Sequence, residues 1–122
     1  MSGITVPIKI ILGKDTVAFD AKLDTGSSHC IFQRTHGEKL DLEIENGDYH
    51  EFSTATGTFP AFGHEVTLSV LGISVFSKVY FASDNYFSRN VLGRNGWLDR
   101  INMGLVDYEG KLFLSLYGDE IA

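Results

Sequence analysis

Asp24, Thr25 and Gly26 place a carboxylate, a hydroxyl and a glycine side by side, directly after an alternating apolar segment that ends at Leu23. A carboxylate in such a place can act as a general base or a general acid when a partner group is close. The same residue types are also common in turns, so an ordinary turn is the competing interpretation. The tripeptide alone does not distinguish a catalytic carboxylate from an ordinary turn, so the rest of the sequence has to be considered.

A second segment, NVLGRNGWL at residues 90–98, contains two apolar residues, a glycine and a predicted short helix. In this order and at this separation, the two segments resemble those of retropepsin-like aspartic proteases, which are single-domain and dimeric. In that family the apolar pair passes behind the catalytic loop, and the glycine permits the close approach. Between the segments, the predicted hairpin FSTATGTFPAF falls where the family has its flap. The resemblance runs from about Val17 to Leu98, and Ser27 and Ser28 favour a cellular, bacterial-type member over a retroviral one.

The resemblance implies an aspartic endopeptidase, which hydrolyses peptide bonds with a pair of carboxylates. Two carboxylates held together share one proton, because like charges at that distance cannot both ionise. The ionised one takes a proton from a water molecule, and the protonated one gives its proton to the substrate carbonyl oxygen. The chain has only one Asp-Thr-Gly, so the partner of Asp24 has to be Asp24 of a second copy. We therefore expect a homodimer in which these two residues face each other across a two-fold axis.

The residues around Asp24 have separate expected roles. Gly26 lets the chain turn sharply, because it has no Cβ atom to clash. The resemblance implies that the Thr25 hydroxyls hold the two catalytic loops together across the axis. It also implies that Arg94 ties the predicted helix to the loop. Retroviral enzymes pair that arginine with an aspartate, but Ser28 stands at that position here, so a neutral hydrogen bond is the most that we expect.

Ser27 is expected to hydrogen-bond the Asp24 carboxylate, which stabilises the ionised form and favours an acidic pH optimum. The substrate is expected to be an extended peptide, bound as an added strand. The predicted substrate-binding residues are Ser27, His29, Ile31, Thr56, Gly57, Phe59 and Val91. Because Ile31, Phe59 and Val91 are apolar, the cleft should prefer apolar side chains. For His29 a surface position is an equal alternative, and Ile31 and Val91 could belong to the core.

Composition argues against several other functions. The 122 residues have a net charge of −6 and no run of basic residues, which argues against nucleic-acid binding. One cysteine and four scattered histidines lack metal-ligand spacing, so neither a metal nor another cofactor is expected. No apolar run has the length of a membrane span, and the first residues do not resemble a signal peptide. Cys30 cannot form an intrachain disulfide and fits a cytoplasmic location, while processing from a larger precursor stays open.

The elements that must position these residues are mostly strands, in a single domain over residues 1–122. Predicted strands lie at Ile4–Ile10, Val17–Leu23, Cys30–Phe32, Val66–Val70 and Lys78–Ala82, with hairpins at Glu51–Phe62 and Met103–Leu116 and a short helix at 93–101. The polar segment 34–50 is expected to contain a loop, a turn of helix and a short strand through Leu40, Leu42 and Ile44. Pro7 lacks an amide donor, so its strand should be an edge or bulge at that point. The predicted class is all-β, a closed-barrel-like retropepsin fold with one short helix near the C-terminus.

Two alternatives remain at this level. The first keeps the fold without the chemistry, as a catalytically silent module that dimerises and binds peptides. An intact Asp-Thr-Gly argues against it. The second is an unrelated β-barrel that binds a small ligand, in which Asp24-Thr25-Gly26 is a turn and no dimer is needed.

Overall fold

The computed structural model describes residues 4–24, 26–54 and 57–97, together with the backbone of two later strands. The strands are β1 (Ile4–Leu12), β2 (Asp15–Leu23), β3 (Ile31–Phe32), β4 (Asp48–Thr54), β5 (Gly57–Val70), β6 (Ile73–Ala82), β7 (Val91–Leu92), β8 (Ile101–Val106) and β9 (Lys111–Leu116). One helix, α1, spans Arg34–Lys39, and a single 3-10 turn spans Ile44–Asn46. No helix in the described part of the chain is long and apolar enough to cross a membrane.

Strands β1 and β2 form the predicted antiparallel hairpin, with Gly13 at a φ of 61° in its turn. Their alternating residues point one set of apolar side chains inward, as the period of two requires. Pro7 lies opposite Asp20 of β2, whereas on its other side β1 pairs with β5 only from Ile8 to Ile11. Pro7 therefore sits at an open edge, where its missing amide hydrogen costs no ladder bond, and that prediction is confirmed.

The first seven strands form one sheet in the order β1-β2-β7-β3-β6-β5-β4, and β1 also pairs with β5. The pairings thus run from β1 through β2, β7, β3, β6 and β5 back to β1. The β2–β7 and β3–β6 pairs are parallel, and the others are antiparallel. Strands β8 and β9 pair in a second, two-stranded sheet, as the predicted closing hairpin requires. The predicted turn of that hairpin, Tyr108-Glu109-Gly110, lies outside the described residues.

The hairpin predicted between residues 51 and 62 is present as β4 and β5, with Thr54 opposite Gly57. The two residues at its tip, Ala55 and Thr56, lie outside the described part of the chain. Strand β5 continues without interruption to Val70 and pairs with β6 from Ala61 to Val70. The predicted hairpin arm and the predicted strand at 66–70 are therefore one long strand.

The short strand predicted through Leu40, Leu42 and Ile44 is wrong. Helix α1 ends at Lys39, Asp41 takes a φ of 62°, and Ile44 begins the 3-10 turn. Leu40 and Ile44 are buried and Leu42 packs against the same core. Their spacing fits a strand, but the apolar pair four residues apart fits a compact helical segment equally well.

The described residues also do not form the short helix predicted at 93–101. Residues 93–97 make turns and one β-bridge, Gly96 has a φ of 105°, and β8 begins at Ile101, while residues 98–100 lie outside the described part. A φ of that sign is incompatible with a right-handed helix. The helix that is described, α1, instead lies in the segment 34–50, where the turn of helix was expected.

Candidate active site

Asp24 comes directly after β2, where that strand runs beside β7. The Lys22 amide donates to the Asn90 carbonyl at 2.9 Å, and the Asp24 amide donates to the Leu92 carbonyl at 3.0 Å. The backbone of Asp24 is therefore fixed by a parallel strand pair on one side. Its half-buried carboxylate has no ion-pair partner within the described residues.

The chain turns tightly after Asp24. The Gly26 amide donates to Asp24 Oδ1 at 2.9 Å, and the Ser27 amide donates to the Asp24 carbonyl at 3.1 Å. A Cβ atom on Gly26 would lie 3.2 Å from that same Oδ1, closer than most Cβ contacts. Glycine thus lets the amide reach the carboxylate, as predicted. Thr25, and with it the predicted contact between hydroxyls, lies outside the described residues.

The segment that follows β7 passes close behind this loop. The Arg94 amide donates to the Ser27 carbonyl at 3.0 Å, and the Asn95 amide donates to the Ser28 carbonyl at 2.9 Å. A Cβ atom on Gly93 would lie only 2.2 Å from the His29 carbonyl oxygen, so no side chain fits there. The close approach that the resemblance implied for this glycine is confirmed.

Arg94 makes this contact through its backbone alone. Its side chain is exposed and forms no hydrogen bond or ion pair with the described residues. The Ser28 hydroxyl lies 2.8 Å from His29 Nδ1 instead. The neutral hydrogen bond that we considered for the Arg94 side chain is therefore absent from this part of the chain.

The expected hydrogen bond from Ser27 to the Asp24 carboxylate is wrong for the single chain. The Ser27 hydroxyl donates to the His29 carbonyl at 2.9 Å. A serine hydroxyl has one hydrogen to donate, so the bond that closes the loop excludes the bond to the carboxylate. Ser27 stays within the cleft, but as a residue that shapes the loop.

The Asp24 carboxylate opens into a cleft of about 590 Å³, a volume within the usual range for ligand sites. Described residues that line it are Asp24, Gly26, Ser27, Ser28, Ile31, Phe52, Ser53, Thr54, Phe59, Phe87, Arg89 and Val91. Four of the predicted substrate-binding residues, Ser27, Ile31, Phe59 and Val91, are among them. Gly57 borders an adjoining cavity of about 320 Å³, and Thr56 lies outside the described residues.

His29 is not among the described residues that line this cleft, so its role in substrate binding stays a prediction. Its ring packs against those of His50, Phe52 and Tyr80, with centroids 5.2 Å away in each case. Burial lowers the pKa of His29, and the nearby His50 lowers it further. His29 forms an isolated β-bridge with Asn95, and the next residue, Cys30, is fully buried.

Several residues of the site were missed by the sequence analysis. Phe52 precedes the hairpin tip, and its ring is tilted against Phe59 with centroids 5.7 Å apart. Phe87 stacks on Phe59 at 4.9 Å, and Arg89 lies over Phe87 at 5.9 Å. The loop that carries Phe87 and Arg89 has no periodic pattern. Only its position just before the apolar pair Val91-Leu92 could have indicated that it lines the cleft. The Asn90 side chain also donates to Gln33 Oε1 at 3.0 Å and accepts from the Gln33 amide at 2.9 Å, fixing the end of β3.

The described residues include no group of three side chains that could hold a metal ion. The cleft therefore offers one carboxylate, one guanidinium, several hydroxyls and apolar walls. Such a set can bind a peptide and take a proton from water, but a single carboxylate cannot also donate one.

Comparisons with known proteins agree with this geometry. The EIAV protease, solved in complex with the inhibitor HBY-793, matches with a TM-score of 0.57 and 19% identity, over 75% of this chain and 82% of that chain. At that identity the match shows the fold, and it confirms the retropepsin-like resemblance. No curated protein sequence matches. The family model described as aspartyl protease matches residues 6–95, well over half of the 122 residues, and the chain therefore belongs to the aspartyl protease family.

Proposed function

We propose that this protein is an aspartic endopeptidase whose active form is a homodimer. The observation that carries the proposal is the Asp24 carboxylate, held by backbone hydrogen bonds at the opening of a peptide-sized cleft. Asp24 is the one acidic residue among the described residues that line this cleft. Family membership supports the same reaction.

One chain supplies half of the chemistry. Hydrolysis of an amide by water needs a base for the water and an acid for the carbonyl oxygen. In the proposed dimer, Asp24 of one protomer and Asp24 of its partner share a single proton and take these two roles. As the peptide carbonyl becomes tetrahedral, the ionised carboxylate accepts the water proton and the other protonates the oxygen. The carboxyl that took the water proton then gives it to the leaving nitrogen. As the C–N bond breaks, the other carboxylate takes back the proton from the hydroxyl of the intermediate, so the pair again holds one proton.

The substrate in this proposal is an extended peptide that lies between the floor of the cleft and the β4–β5 hairpin, which acts as the flap. Ile31 and Val91 stand opposite each other in the β3–β7 pair and are both buried, so they form an apolar wall. Phe59 of the hairpin faces the same space. We expect apolar side chains on both sides of the cleaved bond.

The proposed dimer interface also includes the ends of the chain. The ring of strand pairings supports a closed barrel as the fold of each protomer. Among the described strands, residues 4–7 of β1 have a partner on one side only, so this edge could pair with a strand of the second protomer. Cys30 is buried and is the one cysteine of the sequence, so no intrachain disulfide forms, which fits the reducing conditions of a cytoplasmic location.

Cleavage of a peptide library by the wild type and by Asp24→Asn tests the proposal. Asparagine has nearly the same shape but neither accepts the water proton nor carries the shared one, so we expect no cleavage. Asp15→Asn is the matched control, because it removes the same charge from the exposed far end of β2. Full turnover by purified Asp24→Asn would rule the mechanism out.

The catalytically silent peptide-binding module remains the second candidate. It predicts that wild type and Asp24→Asn bind peptides equally and that neither cleaves any member of the library. A difference in cleavage between the two proteins decides between the candidates.

A further inference from the structure

We propose that Arg89 selects substrates with an acidic side chain close to the cleaved bond, an inference that rests on the proposed endopeptidase function. Arg89 lines the main cleft together with Asp24, and these two are the charged residues of its described lining. Arg89 also borders two adjoining cavities of about 320 and 250 Å³. Lys22 borders the smaller of these cavities, but within the described lining of the main cleft Arg89 is the one cation that a bound peptide passes.

The Arg89 side chain is held by the cleft itself. Its guanidinium carbon lies 5.9 Å from the centre of the Phe87 ring, and that ring stacks on Phe59 of the hairpin. Arginine packs in this way on aromatic faces and keeps the edge of its planar fork free for hydrogen bonds. The aromatic pair thus positions the cation beside the bound peptide.

Within the described residues, the Arg89 guanidinium has no carboxylate partner. Asp84 and Asp20 border the adjoining cavities, but neither forms an ion pair with it. Asp84 instead accepts a hydrogen bond from the Tyr86 amide at 2.8 Å. Arg34 provides the contrast, because both of its terminal nitrogens are bonded to the Glu45 carboxylate.

A free guanidinium beside an apolar wall matches a carboxylate in shape and charge, because the two can form paired hydrogen bonds. In the open cleft such a pair would be weak, since exposed ion pairs contribute little. A bound peptide and the hairpin above it would exclude water and strengthen the pair. In a dimer with two-fold symmetry, each protomer brings one Arg89, so the preference should act on both sides of the cleaved bond.

The experiment uses peptide pairs that differ only by glutamate or glutamine at each of the three positions on either side of the cleaved bond. We expect glutamate to raise kcat/KM by about fivefold to tenfold at one position or more, the range of a charge-assisted hydrogen bond in a partly exposed site. Arg89→Gln should abolish the preference, Arg89→Lys should keep part of it, and Arg89→Glu should reverse it. Phe87→Leu, which removes the supporting ring, should weaken it.

Two controls separate this inference from the function on which it rests. Lys14→Gln removes one positive charge from a remote turn and should leave the preference unchanged. Binding of the same labelled peptides to Asp24→Asn, measured by fluorescence anisotropy, reads the preference without catalysis. Cleavage with equal rates for glutamate and glutamine, or a preference that survives in Arg89→Gln, would overturn the role of Arg89 and leave the protease intact. Preferential binding of glutamate peptides without cleavage by the wild type would keep Arg89 and overturn the protease, and absence of both would overturn the two together.

Discussion

The floor of the cleft and the hairpin that faces it are built in opposite ways. Around Asp24, backbone amides and carbonyls of residues 22–28 bond to those of residues 90–95. The two segments lie so close that no side chain fits at Gly93. Near the hairpin tip, Ser53, Thr54, Gly57 and Thr58 are exposed. The contacts there include a two-stranded ladder and a hydrogen bond of 2.9 Å from the Thr54 hydroxyl to the Gly57 carbonyl. The difference indicates a rigid Asp24 carboxylate under a segment that can move, an arrangement that fits the proposed binding of an extended peptide.

The largest loss of stability is expected from Gly93→Ala, which adds a methyl group behind the loop that follows Asp24. In Gly93→Ala the new methyl group would meet the His29 carbonyl at 2.2 Å, and backbone cannot move aside as a flexible side chain can. We expect a loss of about 3 kcal/mol or more in the free energy of unfolding, the upper range for overpacking, together with loss of activity. Urea unfolding measures it.

Gly13→Ala is the matched control. Unlike Gly93, Gly13 has a positive φ of 61°, and nothing lies within 4 Å of its added Cβ. Only the conformational cost of about 1–2 kcal/mol applies there. Equal destabilisation by the two variants would mean that the close approach behind the loop has no special importance.

The floor and the hairpin also differ in how much of each the sequence could predict. Asp24, Gly26 and Gly93 were identifiable because their roles depend on the backbone, and a glycine or a carboxylate in such a place has few substitutes. The strands were identifiable because alternation along β1 and β2 reflects one buried face. By contrast, Phe87 and Arg89 reach the cleft from an irregular loop, and Ser27 and His29 are oriented by hydrogen bonds and ring contacts between neighbours. Such orientations depend on tertiary packing, which no local pattern encodes.

Hydrogen exchange compares the two regions directly. The Asp24 and Gly26 amides are donors in hydrogen bonds of 3.0 and 2.9 Å, so they should exchange slowly. The described amides near the hairpin tip, at residues 53, 54, 57 and 58, should exchange about tenfold faster or more, as expected for a segment of low local stability. A peptide-like inhibitor should slow the hairpin amides and change those of the floor little. Equal, strong protection of both regions without inhibitor would argue against a moving flap.

The His36 ring packs against β2, the strand that leads to Asp24, and should make the free energy of unfolding depend on pH. Its ring is buried and stacks on Phe19 of β2 at 3.8 Å, and within the described residues its nitrogens have no hydrogen-bond partner. Burial lowers the pKa of His36, and Lys39 on the same helix lowers it further.

As the pH falls below the ordinary histidine value of about 6.5, the unfolded chain therefore binds a proton before the folded chain does. Stability is full above that pH and declines below it. His36→Gln should remove this part of the decline, measured by thermal unfolding between pH 7 and 5. Identical pH dependence in both proteins would show that His36 does not titrate on unfolding.

The smallest effect is expected at Ser27. Its hydroxyl donates to the His29 carbonyl at 2.9 Å within the floor, so Ser27→Ala should cost about 0.5–1.5 kcal/mol, the usual net value of one hydrogen bond. Because that hydroxyl is not bonded to Asp24, the acidic limb of the pH–activity curve should stay in place. A displaced limb with unchanged stability would mean that the dimer redirects the hydroxyl to the carboxylate.

The most direct test of the shared site is a mixing titration of wild type with Asp24→Asn. If each active site takes one Asp24 from each protomer and subunits exchange freely, an equal amount of Asp24→Asn should lower the total activity to about half, because mixed dimers are inactive. A larger excess should lower it further, whereas Asp15→Asn added in the same amounts should not. Activity that stays constant at every ratio of wild type to Asp24→Asn, under conditions in which subunit exchange is observed, would contradict the shared site.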